Sequence, residues 1–250
     1  MKSINPFDDL TFDKFRELAR TEGLNHHEKV GFPSEYREGR ESDIFADVRR
    51  KLTALNSTEK VIVEVGPGCS QLPVMLAQLC DENNHSLHFV DSQEMLDQLP
   101  DGAGVKKWAG RYPGEVNGLL TELEGKVDAL IAYSVIQYVY AEGNLWDLLD
   151  RTLELLNEGG EVLFGDVPNI TMRKRFFASS AGLESHRQYT GRDEKPEVKF
   201  NTLERGQMDD SVVFALLSRA RAQGFHAWVL PQANNLPMAN RREDILIRRP

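Results

Sequence analysis

Val61-Ile62-Val63-Glu64-Val65-Gly66-Pro67-Gly68-Cys69-Ser70 is the stretch on which the fold turns. Its first half is a β-branched run broken by one acid, the composition of a buried strand. Gly66 and Gly68 then form a bend in which a ligand can approach the backbone with no side chain in between, and Gln71 to Cys80 reads as the helix that follows. The N-terminus of such a helix offers free N–H groups. Taken alone, a Gly-x-Gly bend also suits a plain strand-to-helix connection.

Working outward, short β-branched runs alternate with helix-period segments from Glu59 onward, which predicts parallel strands joined by crossover helices. Ser86 to Val90 is a second strand, followed by a short helix beginning at Glu94. Val105 to Trp108 is a weaker third and Asp128 to Ser134 a fourth, with a helical stretch, Gly118 to Glu124, between them. Leu145 to Leu156 is amphipathic, and Asn157-Glu158-Gly159-Gly160 reads as its glycine stop. Glu161 to Gly165 is a fifth strand. Ser211 to Gln223 is a helix opened by Asp209 and Asp210, and Ala227 to Leu230 with Asp244 to Ile247 form a closing hairpin across a Pro- and Asn-rich turn. Residues 1–55, with helical readings at Thr11 to Glu22 and Ser42 to Leu55, stand outside the alternation as an N-terminal helical lid or appendage. Residues 56–250 form the main domain, with a polar, irregular insertion at residues 169–207. Segments that overhang the strand ends of an open sheet are the places where specificity is expected.

Composition excludes several classes. The 250 residues are 40% apolar and 28% charged, ordinary values for one globular domain. No apolar run is long enough to cross a bilayer, and the N-terminus lacks the features of a secretory signal, so a cytoplasmic location is expected and no membrane partner. A net charge of −9 opposes phosphate attraction, so no nucleic-acid partner is expected, and Arg173-Lys174-Arg175 reads as a solvated helix face. The only cysteines, Cys69 and Cys80, lack metal-ligand spacing, and no metal site is expected. A homodimer is one candidate for the oligomeric state, which the sequence leaves open.

The second element of chemistry is Leu87-His88-Phe89-Val90-Asp91, an apolar strand ending in a carboxylate. In an open parallel sheet that places Asp91 beside the first turn, where it can accept both hydroxyl hydrogens of a ribose. The dinucleotide fingerprint is departed from: Gln71 stands where its third glycine belongs, Pro67 stiffens the loop, and Glu64 would repel a pyrophosphate while welcoming an amino group. The pattern reads as a site for a nucleoside that carries a cationic amino-acid moiety.

At these residues the chain resembles the class I (Rossmann-like) S-adenosylmethionine (SAM)-dependent methyltransferases. Glu64, Gly66 and Gly68 match the family's first motif, with Ser70 in place of its usual third glycine, and Asp91 matches its ribose-binding acid. The resemblance implies an α/β fold, a three-layer sandwich around a seven-stranded, mostly parallel sheet with an antiparallel last strand. It implies SAM as cofactor, S-adenosylhomocysteine (SAH) as product, and contacts from Glu64, Gly66, Pro67, Gly68, Ser70, Asp91, Ser92 and Met95. Gly110 and Arg111 would border the adenine, without the acidic residue often found nearby. Tyr133 and Ser134 would lie near the methionine end, with Gln137 or Tyr138 facing substrate.

Methyl transfer needs alignment above all, because the sulfonium is already activated, and a base only for a weakly acidic acceptor. His26, His27 and His186 lie in the two overhanging segments, and His27 and His186 are the candidate bases. Tyr36, Arg37 or Arg40 would contact the SAM carboxylate or an anionic substrate. The function expected is methylation of a small polar metabolite, with O-methylation of a sugar or related compound the specific reading. The alternatives are aminopropyl transfer or NAD-linked redox on the same fold, and a non-catalytic scaffold.

Overall fold

The computed structural model describes residues 10–31 and 39–250. Five strands run parallel because each apolar run is followed by a segment that recrosses the sheet: β1 (Val61–Val65), β2 (Ser86–Asp91), β3 (Val105–Ala109), β4 (Val127–Tyr133) and β5 (Leu156–Pro168). The closing hairpin adds β6 (His226–Pro231) and β7 (Arg242–Arg248), with β7 antiparallel to both β5 and β6. The order across the sheet is β3-β2-β1-β4-β5-β7-β6. It reverses between β1 and β4, and a crevice opens outside strand tips at such a reversal.

Strand alternation feeds two separate cores. Val63, Val65, Leu130, Ala132 and Phe164 point to one face, covered by helices Asn117–Leu123, Leu145–Leu155 and Asp210–Ala222. Ile62, Phe89, Ala129, Ile131 and Leu163 point to the other, covered by helices Glu41–Lys51 and Gln71–Glu82. Ile44, Val48, Leu52 and Leu55 pack in this second layer, so residues 41–55 share the core of the sheet. Lys51 Nζ reinforces the join, 2.5 Å from Asp47 Oδ2 and 2.6 Å from Asp244 Oδ2.

Three local readings are corrected. The helix at Leu145 ends at Leu155, and Asn157 to Gly160 belong to the 13-residue β5 rather than to a glycine stop. Pairing decides it: Leu156 stands opposite Val127, and the Gly159 N–H (3.2 Å) and Gly160 carbonyl (2.9 Å) bond to Arg249. Residues 169–207 are not simply irregular, since they contain helices Ile170–Phe177 and Ser180–Thr190, capped by the side chains of Asn169 and Ser179. Within the first, Lys174 is buried rather than solvated, its Nζ donating to Thr202 Oγ1 at 2.9 Å and pairing with Glu204 at 2.7 Å. Cys69 and Cys80 are both free and buried, and burial pushes their thiols up to about 11 and about 12.

Asp128 joins three segments at the sheet's N-terminal end. It accepts the Val61 N–H at 2.8 Å, Lys60 Nζ at 3.0 Å and Asn157 Nδ2 at 3.0 Å. Burial pushes its pKa up, but these donors outweigh burial and leave it below the ordinary aspartate value. The folded pKa is therefore the lower one, and the stability it confers is present above the unfolded value and lost as pH falls through the folded one. Asp128→Ala is expected to cost about 1–3 kcal/mol in urea unfolding at pH 7, with the gap narrowing on acidification. A gap independent of pH would refute the charged role of the side chain.

Candidate active site

A cavity of about 440 Å³ lies over the C-terminal tips of β1, β2 and β4. The turn after β1 forms its floor. Gly66 and Gly68 both adopt φ +66°, a conformation that a side chain would strain. The Gly66 N–H donates to the Val90 carbonyl at 2.8 Å, which locks the bend to β2. A Cβ on Gly66 would meet Val135 Cγ2 at 2.6 Å, and one on Gly68 would meet Val30 Cγ1 at 2.5 Å. Both glycines are therefore fixed by packing as well as by φ.

Two carboxylates flank this turn. Asp91 accepts the Gly68 N–H (3.1 Å) and the Ser92 N–H (2.6 Å). Burial pushes its pKa up to about 6 against those donors. Glu64 is fully buried in the strand, and its Oε2 has no hydrogen-bond partner among the described residues. Burial first, then the negative Asp91, push its pKa up to about 8. At neutral pH Glu64 is thus largely protonated, where the sequence alone suggested a standing negative charge. A cation reaching it would restore the ionised form.

Of the cofactor residues expected from sequence, Glu64, Gly66, Pro67, Gly68, Ser70 and Asp91 line the cavity, as do Met95, Gly110, Arg111, Tyr133 and Ser134. Ser92 does not. Its hydroxyl caps the short helix Gln93–Leu96 by accepting the Met95 N–H at 3.4 Å. Ser70 occupies the N-cap of the next helix, yet its side chain makes no capping bond. Of the substrate residues, Tyr138 lines the cavity, Gln137 instead donates to the Ser134 carbonyl at 2.8 Å, and Tyr36 and Arg37 lie outside the described residues. None of the six histidines lines the cavity. His27 Nε2 lies 3.1 Å from Glu41 Oε1, and His186 packs edge-on against Phe177.

The sequence reading missed the cavity's outer wall. Helix Phe12–Arg20 brings Phe12 and Phe15 onto it, with Phe15 edge-on to Tyr138 at 4.9 Å. Glu94, three residues after Asp91, holds that helix through Arg16 (3.0 Å) and Arg20. Arg111 lies over the Phe12 ring, 4.9 Å from its centroid. The helix itself was legible, with Thr11 as its cap, but no local signal tells where it docks. Glu115, Glu142 and Asp147 also line the cavity and were not singled out.

This sheet order and the crevice at its reversal are those of the class I SAM-dependent methyltransferase fold. No protein-family profile matches the chain. Among solved structures, it is similar to the N-methyltransferase NodS from Bradyrhizobium japonicum WM9 in complex with SAH, at 13% identity and TM-score 0.58, covering 97% of this chain and 100% of that one. The plantazolicin methyltransferase BpumL in complex with SAH is similar at 13% identity and TM-score 0.57, covering 94% and 95%. Phosphoethanolamine N-methyltransferase 2 of Haemonchus contortus, in complex with SAM, has 13% identity and TM-score 0.54, covering 94% and 60%. In sequence, 124 residues are 28% identical to a probable non-canonical nonribosomal peptide synthetase, CymA, of Salinispora arenicola (strain CNS-205). That match takes in 47% of this chain and 2% of CymA, so the chain corresponds to a small part of that protein.

Because the folded pKa of Glu64 lies above the unfolded one, the contribution of this one group to ligand-free stability is greatest in acid and falls as pH rises toward about 8. Glu64→Gln removes the titration. The variant is expected to be more stable than wild type at pH 8, by on the order of 2–4 kcal/mol, and so to melt higher, with a much smaller difference at pH 5. Equal melting temperatures at pH 8 would contradict a buried, unpaired carboxyl.

Proposed function

We propose that the protein is a SAM-dependent methyltransferase acting on a small polar acceptor, with a sugar hydroxyl or related group as the specific reading. The observation that carries this is the buried Oε2 of Glu64, without a hydrogen-bond partner among the described residues, beside a bare-backbone turn, with Asp91 at the neighbouring strand tip. The ligand such a floor fits has an ammonium for Glu64, an edge that lies flat on Gly66 and Gly68, and a ribose diol for Asp91. Lining charge supports it. Among the described residues the cavity wall carries, besides the largely protonated Glu64, the four acids Asp91, Glu115, Glu142 and Asp147, and one cation, Arg111. A dinucleotide's pyrophosphate would meet repulsion there, which counts against NAD.

When bound, SAM supplies an electrophilic methyl group on a sulfonium that needs no further activation. The chain's own residues then bind, orient and exclude water. Asp91, fixed by the Gly68 and Ser92 N–H groups, is set to accept the ribose hydroxyls, and Glu64 ionises against the ammonium. Phe12, Phe15 and Val30 close the apolar side of the cavity, Met95 lines it beyond Asp91, and Tyr138 is the lining residue assigned to the acceptor in this reading. Fixing the reacting atoms in line supplies much of the acceleration in such a transfer. The enclosing helix Phe12–Arg20 supports a small acceptor, and a net charge of −9 disfavours a polynucleotide.

Titration calorimetry with SAM, SAH and NAD tests this reading directly. SAM and SAH are expected to bind wild type, and Asp91→Ala to weaken both at least about tenfold, the worth of a charge-assisted bond. NAD binding without SAH binding would overturn it. The raised Glu64 pKa adds a sign. Binding the ammonium ionises a protonated carboxyl, so SAH affinity should rise from pH 6 toward about 8 with proton release, and Glu64→Gln should abolish that release. Proton uptake in that window would exclude Glu64 as the ammonium's partner.

A further inference from the structure

The N-terminal appendage falls into two parts that are attached in different ways. Residues 41–55 belong to the second core, through Ile44, Val48, Leu52 and Leu55. Residues 10–31 contribute to neither core. Their apolar contact with the body is a small third cluster, in which Ala19 meets Cys69 and Met95, with Phe15 and Val30 at its edge. Phe12, Phe15 and Val30 all line the cavity, and Val30 stands against the glycine turn, since a Cβ on Gly68 would meet its Cγ1. A ligand that fills the cavity therefore touches this segment on one side and the strand tips on the other.

What fastens the segment is charge. Glu94 Oε1 accepts from Arg16 Nη2 at 3.0 Å and from Arg20 Nη2, and its Oε2 accepts from Arg16 Nε at 3.1 Å. Arg16 thus engages both carboxylate oxygens, the geometry in which an ion pair contributes more than a surface pair usually does. The Glu94 side chain is largely buried, whereas both arginines are partly exposed. Its carboxyl is held down to about 2, by the Arg16 hydrogen bond above all, so it stays ionised throughout the neutral range. One turn further on, Gln98 donates to the Ala19 carbonyl at 3.4 Å and accepts from Lys29 Nζ at 2.8 Å. Arg111 adds a weaker tie, 3.6 Å from Asp13 and over the Phe12 ring. A segment held by few buried apolar contacts and by polar ones within reach of water lies at the low end of local stability.

Resting on the methyltransferase reading, we infer that residues 10–31 are a lid over the cofactor, latched by Arg16 and Arg20 on Glu94, whose opening sets the rate at which cofactor and product exchange. The ligand is the other half of the latch. Filling the cavity gives Phe12, Phe15 and Val30 a surface to close on, so ligand and closed lid favour each other, by the same factor in both directions. Salt weakens the ionic half and spares the apolar half, because added ions screen charges that water can reach. Exchange of the ligand therefore quickens with ionic strength while the two cores stay shut.

Hydrogen exchange read by mass spectrometry on the full chain, together with the SAH dissociation rate from surface plasmon resonance, tests the lid with no acceptor in hand. In wild type, SAH is expected to slow exchange over residues 12–20. In Glu94→Gln without ligand, exchange there is expected to quicken about tenfold and SAH to leave about five- to tenfold faster, while β1 and β4 exchange within about twofold of wild type. The unchanged strands report that the variant is folded. Arg16→Gln, which alters only the lid, is expected to act the same way and covers the case in which Glu94→Gln does not fold. Raising NaCl from about 0.05 to about 0.5 M should reproduce much of the effect in wild type and little of it in Glu94→Gln. An SAH dissociation rate unchanged in both variants would overturn the inference and leave the methyltransferase reading standing. Wild type that binds no SAH would overturn both.

Discussion

A carboxyl group shut away from water with one oxygen unpartnered is the constraint around which the rest of the molecule is arranged. Glu64 stands between Val63 and Val65 in β1 and opposite Phe89 and Ile131, and both burial and the charge of Asp91 oppose its ionisation. A valine there would serve the sheet better. The cost is tolerable only because the sheet is otherwise closed on both faces by continuous apolar layers, which hold the strand in register whatever that one side chain does. Stability is thereby exchanged for a site that gains most when a cation enters it.

The topology gives that group its surroundings. Reversal of strand order between β1 and β4 leaves the tip of β1 uncovered by either neighbouring crossover, so the glycine turn faces open space instead of a helix. The N-terminal helix then covers the opening by docking Arg16 and Arg20 on Glu94, a residue on the turn that begins just after Asp91. One short segment, Asp91 to Glu94, thus presents a buried acid to the cavity on one side and anchors the cover on the other.

Local pattern carried the strands, the glycine turn and Asp91, because each rests on a periodicity or a residue type that acts within a few positions. Val61 to Val65 announces a buried strand by composition, and Asp91 announces itself by ending one. Where local signals competed with pairing, pairing won: Gly159 and Gly160 look like a helix stop but bend a strand, because Leu156 has already paired with Val127. Lys174 looks like part of a solvated basic run but is buried by a loop about thirty residues further on. His27, a candidate base from its place in the chain, lies 3.1 Å from Glu41 and does not line the cavity.

The sequence by itself determined that an open parallel sheet would form and that a glycine bend and two acids would meet at its strand ends, since strand period and turn chemistry are properties of neighbouring residues. Only the tertiary structure decided that Glu64 is mostly neutral at pH 7, that Phe12 and Phe15 wall the cavity, and that Ser134, Asp166, Gln232 and Arg242 converge on one buried network. Those facts depend on desolvation and on contacts between residues more than a hundred positions apart, as with Phe15 and Tyr138. Neither quantity exists until the chain has packed.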